Sequence, residues 1–211
     1  YEITKNLDYF DKRRHYSSGL DYSGTKIFVP EIFNETDKFD ISLFLSSPHE
    51  FVGLPYTSRE LINIFKNAFR EVMKFQDLGY SCAVRQHPFF LNNNTMDKKL
   101  FKKWFAIMKK KGISIFDFDA NISSYNLIDN TKIIFTTGSS IGGESSFSNK
   151  HCFDFNKYSF PFYFKVVDEY DFNKVKVILE NYSNKIKFNK FKLYDFYRFA
   201  SFYSGCGYRI P

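Results

Sequence analysis

The chain has 211 residues, and its 44% apolar content, with 28 Phe and 15 Tyr, supplies ample material for the core of one large domain with appendages. Thirty Lys+Arg against 23 Asp+Glu give a formal charge of +7, which favours anionic partners such as phosphates, acidic lipid headgroups or nucleic acid. A composition rich in Asn, Lys, Ile, Phe and Tyr points to a biased genome and discounts part of that basicity. No apolar run approaches the length that crosses a bilayer, and the stretch reads as carrying no signal peptide. Cys82, Cys152 and Cys206 are widely spaced without a CxxC pair, which suits free thiols in a reducing cytoplasm. The chain opens at Tyr1 rather than Met, the expectation for a piece of a longer protein.

Residues 1–39, with Lys12-Arg13-Arg14-His15 and a Gly/Ser-containing piece, read as a linker or interdomain segment. Phe39 to Leu45 is the first strand and runs into the turn Ser46-Ser47-Pro48-His49-Glu50. Thr57-Ser58-Arg59-Glu60 has the spacing of a capping box. Leu61, Phe65, Phe69 and Val72 follow at helical intervals, so a helix is predicted over 58–77. The second strand, from Tyr80 to Arg85, closes at His87-Pro88.

A helix over 97–111 puts Leu100, Phe101, Trp104, Phe105 and Met108 on one face and lysines on the other. That basic face reads as solvated, with docking on a membrane surface as the minority alternative. Gly112 ends the helix, and Ile113 to Phe118 is the third strand. A short helix beginning at Ser123 or Ser124 precedes the fourth strand, Lys132 to Thr136. A Gly-Ser turn, a helix to about Ser148 and a fifth strand over His151 to Phe155 follow. A helix near 172–182 and an aromatic terminal helix over 186–211 complete the chain.

Alternating strands and helices predict an α/β domain over 40–185, a Rossmann-like parallel sheet with helices on both faces. Such sheets take ligands beyond the carboxyl ends of their strands. The Ser46–Glu50 turn, His87-Pro88, the stretch from Asn121 to Tyr125, and Gly138 to Glu144 all fall at such ends. In the last of these, Phe135-Thr136-Thr137-Gly138-Ser139-Ser140-Ile141-Gly142-Gly143-Glu144, a buried strand passes through a tight turn into a helix start. Backbone N–H groups and Ser hydroxyls there suit a phosphate, although Gly and Ser at such a joint also serve the turn alone. The spacing is neither a dinucleotide fingerprint nor a Walker loop. No cluster of Asp, His or Cys has metal-ligand spacing, Asp117-Phe118-Asp119 being too thin for one, so no metal cofactor is implied.

In order and spacing, His87-Pro88, Ser139-Ser140 and Glu144, together with Ser46-Ser47-Pro48-His49-Glu50 and Tyr125-Asn126-Leu127-Ile128, resemble the C-terminal, donor-nucleotide half of a GT-B glycosyltransferase. The likeness covers about residues 40–160 and is to bacterial capsule and lipopolysaccharide transferases, including those using CMP-linked Kdo or sialic acid. The resemblance implies that His87, Ser139 and Ser140 meet the donor phosphate, with Arg85, Pro88 and Gly138 beside them. It also implies that Glu144 holds the ribose and that Tyr125 flanks the base. His87 and Glu50 are then the candidate catalytic groups, although Glu50 also reads as an ordinary turn acid and lone histidines such as His15, His49 and His151 as ordinary residues. Asn149-Lys150-His151 departs from the Gly-Lys-Pro expected after the Ser-Ser helix.

The acidic base of such enzymes lies in an N-terminal domain that 211 residues do not accommodate, which implies a further domain or a partner chain. The partners implied are a nucleotide sugar and a polysaccharide or glycolipid acceptor, in the cytoplasm or at the inner face of its membrane. Alternatives are a glycerophosphotransferase or sugar-epimerase half-domain, a domain kept for protein contacts, and a basic nucleic-acid-binding module. Against the last, the aromatics follow core periodicity and no RNA- or DNA-binding motif is present, so nucleic acid is not an expected partner.

Overall fold

Among the described residues six short strands pair into one sheet in the order β3-β2-β1-β4-β5-β6. They are β1 (Phe39–Phe44), β2 (Cys82–Arg85), β3 (Ser114–Phe116), β4 (Thr131–Thr136), β5 (His151–Asp154) and β6 (Asp168–Glu169). Every neighbouring pair is parallel. The computed structural model describes residues 38–47, 57–87, 98–117, 120, 122–148, 150–156 and 167–182. The proposed linker up to residue 37 and the terminal aromatic helix lie outside the described residues, as do Cys206, Pro88 and Glu50.

Among the described residues four helices lie between strands, α1 (Ser58–Asp77), α2 (Lys98–Lys110), α3 (Ser124–Asp129) and α4 (Ile141–Phe147), and α5 (Phe172–Glu180) follows β6. Helix α1 starts where its sequence requires. The Thr57 N–H donates to Glu60 Oε2 at 2.7 Å, and the Glu60 N–H donates back to Thr57 Oγ1 at 3.3 Å. Asp171 caps α5 in one direction only, its Oδ1 accepting from the Lys174 N–H at 2.8 Å.

Strand alternation sorts the core into two layers. Ile41, Leu43 and Leu45 of β1 join Cys82, Val84, Ile133, Phe135 and Phe153 on one face. Phe65, Phe69, Val72 and Phe75 of α1, Phe101, Phe105 and Met108 of α2, and Val175 and Leu179 of α5 cover them. Much of this layer is ring on ring, Phe69 meeting Phe101 and Phe105 edge-on at 5.9 and 5.6 Å between centroids. On the other face α3 packs on β4, and α4 on β4 and β5. The expectation of a parallel sheet covered on both sides is met. Cys82 and Cys152 are buried free thiols within it. Burial, with the Asp40 carboxylate nearby, pushes the Cys82 thiol up to about 12, as expected of a cysteine that packs as an apolar residue.

The sheet has one strand more than the sequence suggested. Strand β6 is two residues long and acidic, so it carries no apolar signature, and it pairs with β5 through Phe153–Asp168 and Asp154–Glu169. Among the described residues no helix is long and apolar enough to cross a membrane.

Candidate functional site

The strand order creates one special position. From β1 the chain moves outward through β2 to β3, and it then returns to pair β4 against the other side of β1. The connection after β1 therefore leads to α1 on one face, while that after β4 leads to α4 on the other. The two part at the carboxyl edge, the switch point at which open parallel sheets take ligands in a crevice.

Two contacts pin the crevice floor. The Ser46 N–H, just past β1, donates to Thr137 Oγ1, just past β4, at 3.0 Å. The Ser139 N–H donates to Thr136 Oγ1 at 2.9 Å and folds the turn back on its own strand. Gly138 makes that turn at φ +102°, a left-handed conformation that a side chain would strain. Ser46, Ser47, Thr137 and Ser139 are all buried. The Ser46 hydroxyl is fully buried and has no hydrogen-bond partner among the described residues.

The Ser-Ser turn differs from an open phosphate cradle. Ser140 is the N-cap of α4, but its hydroxyl makes no capping bond. The Ile141 N–H donates to Ser139 Oγ at 3.4 Å and the Gly142 N–H to Ser139 O at 3.0 Å, so the turn itself engages two of the first donors. The hydroxyls of Ser145 and Ser146 return to the carbonyls of Ile141 and Gly142, which lets a polar helix sit buried against the sheet.

Tyr125 and Glu144, distant in sequence, meet on the second face. Ser123 caps α3 through Asn126 N, and this sets Tyr125 facing α4, where its hydroxyl donates to Glu144 Oε2. Both side chains are buried, Glu144 to 3% exposure. The resemblance implied that both stand around one nucleoside, but nothing in the sequence indicated a contact between them.

His87 follows β2 at the same carboxyl edge, partly buried. With β1 between β2 and β4, the His87 strand end and the Ser139-Ser140 strand end stand two strand intervals apart, about 10 Å. Burial, assisted by the neighbouring Arg85 guanidinium, lowers the imidazole from 6.5 to about 4, which keeps it neutral near pH 7. Arg85 turns elsewhere: its guanidinium donates to the carbonyls of Asp117 and Ala120, closing the β2–β3 edge. Gln86, next in the chain, donates to Asp117 Oδ1 at 2.8 Å, and its buried Oε1 has no partner among the described residues. Ser46, Gln86 and Thr137 were thus not singled out as side chains from the sequence, although each lies in or beside a loop that was.

Among the described residues no group of His, Cys, Asp or Glu is arranged to hold a metal ion. The chain matches no protein-family model and no curated protein.

Proposed function

We propose that this domain is the donor-binding half of a glycosyltransferase, holding the nucleotide of an activated sugar, CMP-linked by the motif resemblance, in the crevice between β1 and β4. The observation that carries the reading is the buried Ser46 hydroxyl, without a partner among the described residues, at the topological switch point of the sheet. A buried hydroxyl without a partner is costly, and a ligand oxygen is a natural complement for it. The Ser140 hydroxyl and the neutral His87 imidazole would complete a set of uncharged groups around the donor phosphate. Glu144, oriented by Tyr125, would accept from ribose hydroxyls.

In the reaction, the acceptor hydroxyl oxygen bonds to the anomeric carbon as the bond from that carbon to the phosphate oxygen breaks. The departing nucleotide keeps the electron pair, and hydrogen bonds at the crevice stabilise that charge. The acceptor proton passes to a carboxylate base, a role that Glu50 or a further domain or partner chain would fill. The polysaccharide or glycolipid acceptor belongs to that side of the site.

Calorimetric titration of the chain with CMP, UDP, GDP and a short oligonucleotide tests the reading. Saturable binding of one nucleotide, weakened several-fold by both Ser46→Ala and Ser140→Ala, is the expected result. Absence of binding by all three nucleotides, or equal affinity in both variants, would overturn it.

A further inference from the structure

Helix α2 segregates its charge in a way that the other long helix does not. Its 13 residues, KKLFKKWFAIMKK, include no acidic side chain. Helix α1 interleaves Arg59, Glu60, Lys66, Arg70, Glu71, Lys74 and Asp77. A genome biased toward lysine accounts for the number of lysines but not for the exclusion of carboxylates from one helix.

On α2, Lys99, Lys102, Lys103 and Lys110 lie at three-, four- and seven-residue intervals around Ala106, and all are exposed. Lys102, Lys103 and Lys110 take part in no ion pair among the described residues. By contrast, Lys111, Lys132, Lys174 and Lys176 each face a carboxylate. Beside the basic face runs an apolar rim. Ile107 is 37% exposed. Trp104 and Leu100, about one and two helical turns before it, are only partly covered, Trp104 lying against the Phe69 ring at 6.2 Å.

We propose that α2 is a docking face for an anionic phospholipid surface. Lysine is a compact point charge suited to a diffuse layer of headgroups, whereas recognition of a defined phosphate array favours the arginine fork, and α2 has no arginine. The Leu100–Trp104–Ile107 rim supplies the apolar contact that a purely electrostatic patch lacks. The helix links the carboxyl end of β2 to the amino end of β3, so it runs antiparallel to the strands. A domain lying on this helix has its strands along the membrane, and its β1–β4 crevice opens parallel to the surface. The proposal does not depend on what the crevice binds.

The test uses the full chain with vesicles of phosphatidylcholine containing one third phosphatidylglycerol. Trp104 is the only tryptophan, so its fluorescence reports the rim directly. The expected result is co-sedimentation at low ionic strength with a blue shift of that emission, both lost at high salt and absent with phosphatidylcholine alone. The variant Lys102→Glu/Lys103→Glu/Lys110→Glu should lower vesicle affinity about 100-fold or more, on the basis of roughly fivefold for each lysine. Ile107→Ser should remove most of the blue shift while retaining the salt-sensitive binding. Circular dichroism on both variants establishes that they are folded. Failure to sediment with the anionic vesicles, equal sedimentation by the triple variant, or displacement of the chain from vesicles by an oligonucleotide would each overturn the proposal, the last in favour of a nucleic-acid partner.

Discussion

The Ser46 N–H donates to the Thr137 hydroxyl at 3.0 Å, joining two strand ends whose connections leave on opposite faces of the sheet. The pair allows a structural role to be separated from the proposed binding role within one contact. Thr137→Val removes the acceptor and strands a buried backbone N–H, so it should cost about 1–3 kcal/mol in urea unfolding. Ser46→Ala keeps that N–H and deletes only a hydroxyl without a partner, so its stability should be unchanged or higher by up to about 1 kcal/mol. The same alanine is expected to weaken nucleotide binding. A Ser46→Ala protein as destabilised as Thr137→Val would show that the hydroxyl serves the fold.

The Tyr125–Glu144 contact makes a parallel prediction on the other face. Tyr125→Phe leaves the buried carboxyl group short of its donor and should destabilise by about 1–3 kcal/mol. Glu144→Gln retains an acceptor for Tyr125 and should cost less than the phenylalanine variant. If Glu144 holds ribose, that same glutamine should bind a nucleoside phosphate several-fold more weakly, while a 2′,3′-dideoxy analogue is bound alike by both forms. Equal losses for the two ligands would remove Glu144 from the ribose site.

His87 predicts the acid response. Its folded value lies near 4 against an ordinary 6.5, so the unfolded chain binds a proton that the native one does not between those values. Its contribution to stability is therefore full above about pH 6.5 and is lost as pH falls toward 4, with a slope of at most about 1.4 kcal/mol per unit. Replacing His87 with Gln should flatten that part of the stability–pH curve. In the ligand-free chain His87 should show no titration between pH 6 and 8, since its imidazole is neutral throughout that range. A titration centred near pH 6.5 in the ligand-free chain that disappears in His87→Gln would contradict this assignment.

The aromatic layer between α1 and α2 should dominate stability. Phe69 touches the rings of Phe65, Phe101, Trp104 and Phe105 and is 1% exposed. Phe69→Ala should cost about 3–5 kcal/mol, and a chemical denaturation midpoint close to wild type would show that the layer rearranges to fill the gap.

Local signals were legible where the structure uses them locally. Thr57 and Glu60 form the reciprocal cap that their spacing implied, and the Phe65–Phe69–Val72 stripe faces the sheet as its period required. The two acidic residues of β6 gave no such signal, because an edge pairing through the backbone needs no apolar side chain. The loops named from the sequence do follow the carboxyl ends of β1, β2, β3 and β4, but their internal wiring was not legible. Arg85 stands beside His87-Pro88 like a phosphate ligand, yet its guanidinium closes the β2–β3 edge on backbone carbonyls. Which way it turns depends on where β3 ends, and that is set by pairing across the sheet. The Tyr125–Glu144 and Ser46–Thr137 contacts follow equally from strand order, which no local pattern encodes.

The same strand order has a kinetic consequence. Strands β1 and β2 are joined through the well-capped α1, while β1 meets β4 only across long stretches of chain, the Ser42–Thr131 hydroxyl contact spanning 89 positions and Ser46–Thr137 spanning 91. Closing so long a loop carries its entropic cost before any pairing across it is gained, which makes this seam the non-local step of assembly. The β1–α1–β2 unit can collapse early, and the seam between β1 and β4 forms only when both halves are present. A ligand held at that seam would leave the early collapse unchanged and slow unfolding instead, acting as a latch on the finished domain.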